Sequence, residues 1–267
     1  MSSMATGDEP VTLIDIHTHV LAEFDDGPVS LDEAVDMVAQ AQRDGIGKLF
    51  ATPHSAHLIG KSYGEPQIRA AVSELQRELD ARMIGVEVLP GIEVHIAPDL
   101  EQEIKAGRAF TLAGSRYLLL ELPFSMYPLY TEQVIADLRI RGIVSILAHP
   151  ERLEYFQRDP NLLRKLLKYG ALIQLTADSV LGNFGPRIQA FSQIVLEHGW
   201  AHFLASDAHD NRYRVPVLSQ AQDAAAAMMG EEAARALVVD HPLAVIANSE
   251  IVAEEPQRYV TRRRWFW

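Results

Sequence analysis

The sequence predicts an α/β fold, a (β/α)7 barrel of TIM-like architecture in a single domain, and three observations predict it. Short apolar or β-branched runs alternate about seven times with longer stretches of helical spacing and Gly-marked returns, which implies parallel strands joined by right-handed crossovers. With 267 residues, 48% of them hydrophobic, the chain is long enough for one sizeable core. Finally, His17, His19, His54, Glu93, Glu121, His149, Asp207 and His209 fall at or near the C-terminal ends of the predicted strands, where parallel barrels build their active sites.

The elements follow in order. Residues 11–20 read V-T-L-I-D-I-H-T-H-V, a short β-branched run that favours a buried strand. Its two histidines are two apart, so in extended chain they leave the strand on one side. Ser30 with Glu33 is a capping-box signature for a helix that stops at Gly45. A second strand, Lys48 to Thr52, delivers Pro53-His54. Pro66 suits the first turn of a helix to about Arg82, with Ile68, Val72, Leu75 and Leu79 on one side. A third strand, Val86 to Val94, carries Glu93. A short helix from Pro98 to Lys105 precedes extended chain at Phe110 to Leu112 and Tyr117 to Leu122. The latter is apolar on both faces, as covered strands are, and only Glu121 interrupts it. Thr131 to Arg141 is helical, and Ile143 to Ala148 is a strand delivering His149-Pro150. Asp159-Pro160 opens a helix to Tyr169, followed by a strand from Ala171 to Leu175 with Thr176 and Asp178 beyond. A helix over about Pro186 to His198 leads to the last strand, Ala201 to Ala205, which delivers Ser206-Asp207-Ala208-His209. Val215 to about Ala253 is Ala-rich and helical, with breaks near Gly230 and at Pro242. A disordered tail at 1–10, a catalytic domain at 11–253 and a basic, aromatic tail at 254–267 complete the division.

Composition narrows the chemistry. With 24 Lys plus Arg against 36 Asp plus Glu, a formal net charge of −12, no extended nucleic-acid surface is expected. The absence of cysteine excludes disulfides, thiolate metal sites and a cysteine nucleophile. No apolar run approaches a membrane span, and residues 1–10 lack the features of a secretion signal, so the expected location is the cytoplasm.

The strand-end residues point to metal. Five histidines, His17, His19, His54, His149 and His209, join Asp26, Glu93, Glu121 and Asp207. These are too many donors for one ion, and the expectation is two or three. Mixed imidazole and carboxylate without thiolate suits Mn²⁺, Fe or Zn²⁺ better than Mg²⁺ or Ca²⁺. Three divalent ions against four carboxylates leave about two positive charges, which matches a phosphate monoester dianion. Clustered ions also activate a bridging water and hold both oxygens of an in-line phosphoryl transfer.

The ordered set D-I-H-T-H, D-D-G-P, T-P-H, G-I-E, E-L-P-F, A-H-P-E-R and S-D-A-H resembles the polymerase and histidinol phosphatase (PHP) superfamily. Asp25-Asp26-Gly27-Pro28 and Glu151-Arg152 narrow the resemblance to bacterial manganese-dependent protein-tyrosine phosphatases of capsule and exopolysaccharide synthesis. It runs from about Leu13 to Asn248 and implies a distorted (β/α)7 barrel with a three-ion manganese centre that hydrolyses phosphotyrosine on a partner tyrosine kinase with a metal-bridging hydroxide. By motif, His17, His19, Glu93 and Asp207 hold the first ion, with Glu93 shared. His149, Glu121, His54, Asp26 and His209 hold the others, and Arg152 and Arg214 bind the phosphate. Arg212 competes with Arg214 for that role. Planar guanidinium forks suit a dianion and keep their charge beside metals.

Other readings compete at particular residues. Asp15 is expected to orient a ligand or cap its strand, and Asp26 is preferred to Asp25 from its place in the motif. His57 reads as surface or substrate rim, His95 as structural, and His198, His202 and His241 as solvent or capping residues. Tyr127 and Tyr130 line an aromatic cleft or simply pack. Arg262 to Trp267 suggests a membrane surface or partner, or docking on the barrel. Two further functions stand beside the leading one: a PHP phosphoesterase acting on a small metabolite such as histidinol phosphate, and a non-catalytic metal-binding module. A zinc amidohydrolase ranks last, because Glu121 stands where those enzymes commonly supply lysine.

Overall fold

The computed structural model describes residues 12–55, 60–61 and 63–260. The 1–10 tail, His57 and the Arg262–Trp267 stretch lie outside the described residues. Among the described residues eight parallel strands form two sheets, one of order β1-β2-β3 and one of order β4-β5-β6-β7-β8. They are β1 (Leu13–Thr18), β2 (Ile46–Ala51), β3 (Glu87–Pro90), β4 (Glu93–His95), β5 (Tyr117–Glu121), β6 (Val144–Ala148), β7 (Leu172–Thr176) and β8 (Phe203–Ala205).

The expected third strand is therefore two. Chain 86–94 breaks at Gly91, where an added Cβ would lie 2.7 Å from Leu112 and 2.9 Å from Thr52. Close approach of those side chains, which only glycine admits, interrupts the strand, while its register against the second strand is the same at Ala51–Pro90 and at the isolated His54–Glu93 bridge. Counting β3 and β4 as one interrupted strand restores seven strands. Backbone hydrogen bonds join the sheets on both sides: Glu93 N to Pro53 O (3.0 Å) and Ser55 N to Glu93 O (2.9 Å) on one, His19 N to Ala208 O (2.8 Å) and Asp207 N to His17 O (2.9 Å) on the other. The fold is thus the barrel that the alternation predicts, distorted as the resemblance implies.

Helices form where capping and periodicity place them. In α1 (Leu31–Arg43) the Ser30 hydroxyl accepts from Glu33 N, and Glu33 Oε2 accepts from Val29 N, satisfying otherwise orphaned donors. Pro66 sits in the first turn of α2 (Glu65–Ala81), and Asp159 caps α6 (Pro160–Lys168) through Asn161 N. Between them lie α3 (Leu100–Lys105), α4 (Thr131–Ile140) and α5 (Glu154–Arg158). After β7 come α7 (Ala177–Leu181), which carries Asp178, and α8 (Pro186–Glu197).

Two expectations fail locally. Residues 110–112 do not form a strand: Leu112–Gly114 is a 3-10 turn, with Ala113 at φ 51, and it folds Leu112 into the barrel interior. The Ala-rich segment does break at Gly230, between α9 (Ser219–Met229) and α10 (Glu231–Arg235). At Pro242 it does not, because a π-turn over Ala236–Asp240 leads into α11 (His241–Ile246) with the proline in its first turn, where no donor is lost. Beyond it, Arg164 Nε donates to Pro256 O and Asn161 pairs with the Tyr259 backbone, so 254–260 lie against α6.

Two apolar layers result. Alternate strand residues such as Leu118, Leu120, Leu147, Ile173 and Leu204 face the helices. The others, Ile14, Ile16, Phe50, Tyr117, Leu119, Ile146, Leu172 and Phe203, fill the barrel with Leu112 and Val245.

Candidate metal centre

All nine predicted ligands meet at the C-terminal mouth, above that apolar filling. Their donor atoms form four overlapping groups: His19, Asp26, His54 and His209; His17, Glu93 and His149; His17, His19 and Asp207; and His54, Glu93 and Glu121, with atoms in each group within 4.8 Å of one another. Glu93, from β4, is central. Its Oε1 lies 2.9 Å from His149 Nε2 and 3.4 Å from His17 Nε2, while its Oε2 lies 2.8 Å from His54 Nδ1. Asp207 Oδ1 lies 3.5 and 3.4 Å from the Nε2 atoms of His17 and His19.

The donor set fits bound cations on two grounds. Glu93 Oε2 and His54 Nδ1 are buried and 2.8 Å apart, an ion-pair distance, yet they lack hydrogen-bond alignment among the described residues. Such incompletely satisfied buried groups cost free energy unless a ligand satisfies them. The electrostatics agree. Burial disfavours charged imidazoles, but Glu93 and Asp207 outweigh it at His17, and Asp25, Asp207 and Glu93 outweigh it at His19, so both rings stay above the usual histidine range. Burial likewise raises Glu93 and Asp207, and the surrounding histidines, joined at Asp207 by Arg214, pull both well below the carboxylate range. The pocket demands positive charge, whether as protons or as metal.

Local backbone aims these side chains. Register shifts between β1 and β2, one of them between Asp15 and Thr18, change which side of β1 faces inward, as bulges do. His149 (φ 34) and Asp207 (φ 53) adopt left-handed backbone, which costs roughly 1–2 kcal/mol per residue and is common at functional sites. Asp15 does cap the strand end, accepting from His17 N (3.3 Å) and Ser206 N (3.1 Å).

The two adjacent aspartates divide their work. Asp25 accepts from His19 Nδ1 (2.6 Å) and from the His54 and Gly27 amides, fixing the His19 ring. Asp26 stands outside, 3.3 Å from His209 Nε2 and 3.6 Å from His54 Nε2.

Gln174 was not among the predicted residues. From β7 its Oε1 lies 3.0 Å from His17 Nδ1, leaving His17 Nε2 for the cluster, as outer-shell partners of ligating histidines do. Its only sequence signal is a polar residue in the apolar run Ala171 to Leu175. Extension continues through His95, so that residue shares the Glu93 side, and its Nδ1 lies 3.4 Å from Glu121 Oε2. His202 is buried: its Nδ1 accepts from Ile173 N, and burial with the nearby His241 lowers its pKa to about 4.

A cleft of about 200 Å³ opens above the cluster, lined by Asp26, His54, Glu121, Phe124, His149, Arg152, Asp207, His209 and Arg214. Arg152 Nη1 (2.8 Å) and Arg214 Nη2 (2.5 Å) both reach Asp207 Oδ2. Arg152 does not pair with Glu154, which engages Arg158 and Arg187, or with Glu151, which is buried and accepts from Thr176 N. Arg212 is exposed and does not line the cleft. Tyr127 packs edge-on against Tyr155 and Phe156, which is the packing role.

Comparison with known proteins identifies a family and similar chains. Residues 13–247 match the family described as capsular polysaccharide synthesis, CpsB/CapC. The chain is 34% identical over 255 residues to the tyrosine-protein phosphatase YwqE of Bacillus subtilis, covering 95% of this chain and 99% of that one. It is 33% identical over 256 residues to the putative tyrosine-protein phosphatase CapC of Staphylococcus aureus, with the same coverage. A crystal structure from work on YwqE of Bacillus subtilis and CpsB of Streptococcus pneumoniae, described as metal-dependent tyrosine phosphatases, superposes with a TM-score of 0.88 at 33% identity, covering 93% of this chain and 100% of that one.

Proposed function

The chain belongs to the CpsB/CapC family of capsular polysaccharide synthesis, and from that premise we propose that it is a metal-dependent phosphotyrosine protein phosphatase. Its substrate is a phosphotyrosyl protein, a bacterial tyrosine kinase of capsule or exopolysaccharide synthesis, and it acts in the cytoplasm. No helix among the described residues is long and apolar enough to cross a membrane. Three divalent ions, Mn²⁺ foremost, would be held by His17, His19, Asp26, His54, Glu93, Glu121, His149, Asp207 and His209. The two oxygens of Glu93 face different histidines, which supports a shared role for it. When bound, such ions supply Lewis acidity toward a phosphate monoester and a water-derived nucleophile at neutral pH.

The carrying observation is convergence. Two arginines from different loops, Arg152 and Arg214, reach one oxygen of Asp207 on the wall of the cleft that six of the nine donors line. Their forks are placed to take the non-bridging oxygens of a dianion and to stabilise charge as the leaving phenolate departs. Gln174 and Asp25 hold His17 and His19 in orientation. With no cysteine in the chain, no phosphocysteine forms.

The test is elemental analysis of the purified protein together with hydrolysis of a phosphotyrosine peptide, a phosphoserine peptide and histidinol phosphate. More than one transition ion per chain, chelator-sensitive activity and preference for phosphotyrosine are expected. Preference for histidinol phosphate would move the protein to the metabolite class, and full activity with one ion or none would remove the cluster.

A further inference from the structure

We infer that Phe124 and Phe184 form a two-ring sandwich that positions the Arg152 guanidinium, and that the exposed part of Phe124 is the surface met by the aryl group of the substrate. The inference rests on the phosphatase reading above and names residues beyond the metal and phosphate ligands.

The Arg152 Cζ atom lies 5.1 Å from the Phe124 ring centroid and 4.9 Å from that of Phe184, both within cation–π range. Its Nη1 is tied to Asp207. The three anchors come from three places: Phe124 from the loop after β5, Phe184 from the α7–α8 connection, and Asp207 from the end of β8. One hydrogen bond to a carboxylate leaves a guanidinium free to pivot about it. Two ring faces restrain its plane, and a planar guanidinium can be held in this way where an ammonium cannot.

The two rings differ in one respect. Phe124 lines the cleft, stacks at 25° to His149 with centroids 5.9 Å apart, and is still 49% exposed. Phe184 is half-buried and does not line the cleft. Phe184 therefore acts only through Arg152, whereas Phe124 acts through Arg152 and on the substrate. A large apolar ring exposed beside a polar cluster favours an aryl over an alkyl phosphate, since ring-on-ring contact adds to area burial.

The test is a mutant cycle on the metal-loaded enzyme, read against aryl and alkyl phosphate monoesters. Phe184→Leu should lower kcat/KM roughly tenfold on both classes alike, the rate equivalent of a partly desolvated cation–π contact. Phe184→Tyr should restore it. In an Arg152→Ala background, Phe184→Leu should cost nothing further, because its effect passes through the missing side chain. Phe124→Leu should in addition lower the aryl-to-alkyl ratio, which Phe184→Leu leaves unchanged. Full additivity of Phe184→Leu with Arg152→Ala would overturn the sandwich, and an unchanged ratio in Phe124→Leu would overturn the aryl surface. A readout without turnover is the Arg152 Nε–H resonance of the metal-free protein, which should move toward the free-arginine position in Phe184→Leu; an unmoved resonance overturns the sandwich. If the wild-type enzyme hydrolyses no phosphate monoester, the functional reading fails while this resonance still decides the sandwich.

Discussion

The same strands point two chemically opposed layers into one barrel. In the lower layer Ile14, Ile16, Phe50, Leu119, Ile146 and Phe203 pack without a polar atom to satisfy. One step up, His17, His19, Glu93, Glu121, His149, Asp207 and Gln174 crowd ionisable and polar groups together, all of them buried. The lower layer gains free energy as water leaves it. The upper one gains only if opposite charge enters, since burying charges costs more than their pairing reliably returns. Stability and binding are thus separated by a few ångströms along each strand, and substitutions in the two layers should fail in different ways.

The largest effect is expected at the pivot of the upper layer. Glu93→Gln should lower kcat/KM by more than the roughly 100-fold upper range for losing an outer-shell partner, with metal content reduced. The metal-free variant should also be less stable than wild type, because the buried histidines that Glu93 faces lose their counter-charge. Unchanged metal content with near-normal kcat/KM would remove Glu93 from the centre of the upper layer. The reciprocal change is Leu119→Ala, which should cost about 2–5 kcal/mol of unfolding free energy while leaving kcat of the folded, loaded enzyme near normal. A large fall in kcat below the unfolding transition would show that the layers are coupled.

A smaller effect tests the boundary between layers. Gln174→Ala removes the acceptor for His17 Nδ1 and should weaken metal affinity roughly 10- to 100-fold, measured by competition with a chelator. Unchanged affinity would leave Gln174 as packing only. The smallest effect lies outside both layers, at His202, whose folded-state pKa of about 4 is below the ordinary 6.5. Between those values the unfolded chain binds a proton that the folded chain does not, so stability falls as pH drops through that window. His202 should account for about 2 kcal/mol of loss between pH 7 and pH 5. Buried Asp15, raised to about 6 by desolvation, acts with the opposite sign in nearly the same window. Comparison with His202→Gln in urea isolates the histidine: the substitution should flatten its share of the slope, and an unchanged slope would refute it.

Much of this was legible in the residues. Alternation of period, Gly-marked returns and Ser30, Pro66 and Asp159 caps specify strands and helices by local chemistry, which acts within a few residues. Histidines and carboxylates at successive strand ends specify a shared mouth, because parallel strands carry their ends to one side. Other features depend on long-range packing. Strand alternation places Phe50 and His54, Leu119 and Glu121, and Leu172 and Gln174 on matching inward sides. It does not do so for β1, where Ile14 and Ile16 face inward and His17 should therefore face out, or for β6, where His149 follows inward Ala148. A register shift admits His17 and a left-handed residue admits His149. Each is unfavourable alone and persists only because the surrounding barrel fixes it. The split of the third strand at Gly91, the choice of Asp25 for His19 and Asp26 for the cleft, and the selection of Arg214 over Arg212 have the same origin. Sequence spacing determined which residues reach the mouth, and packing between segments far apart in the chain decided where each side chain points.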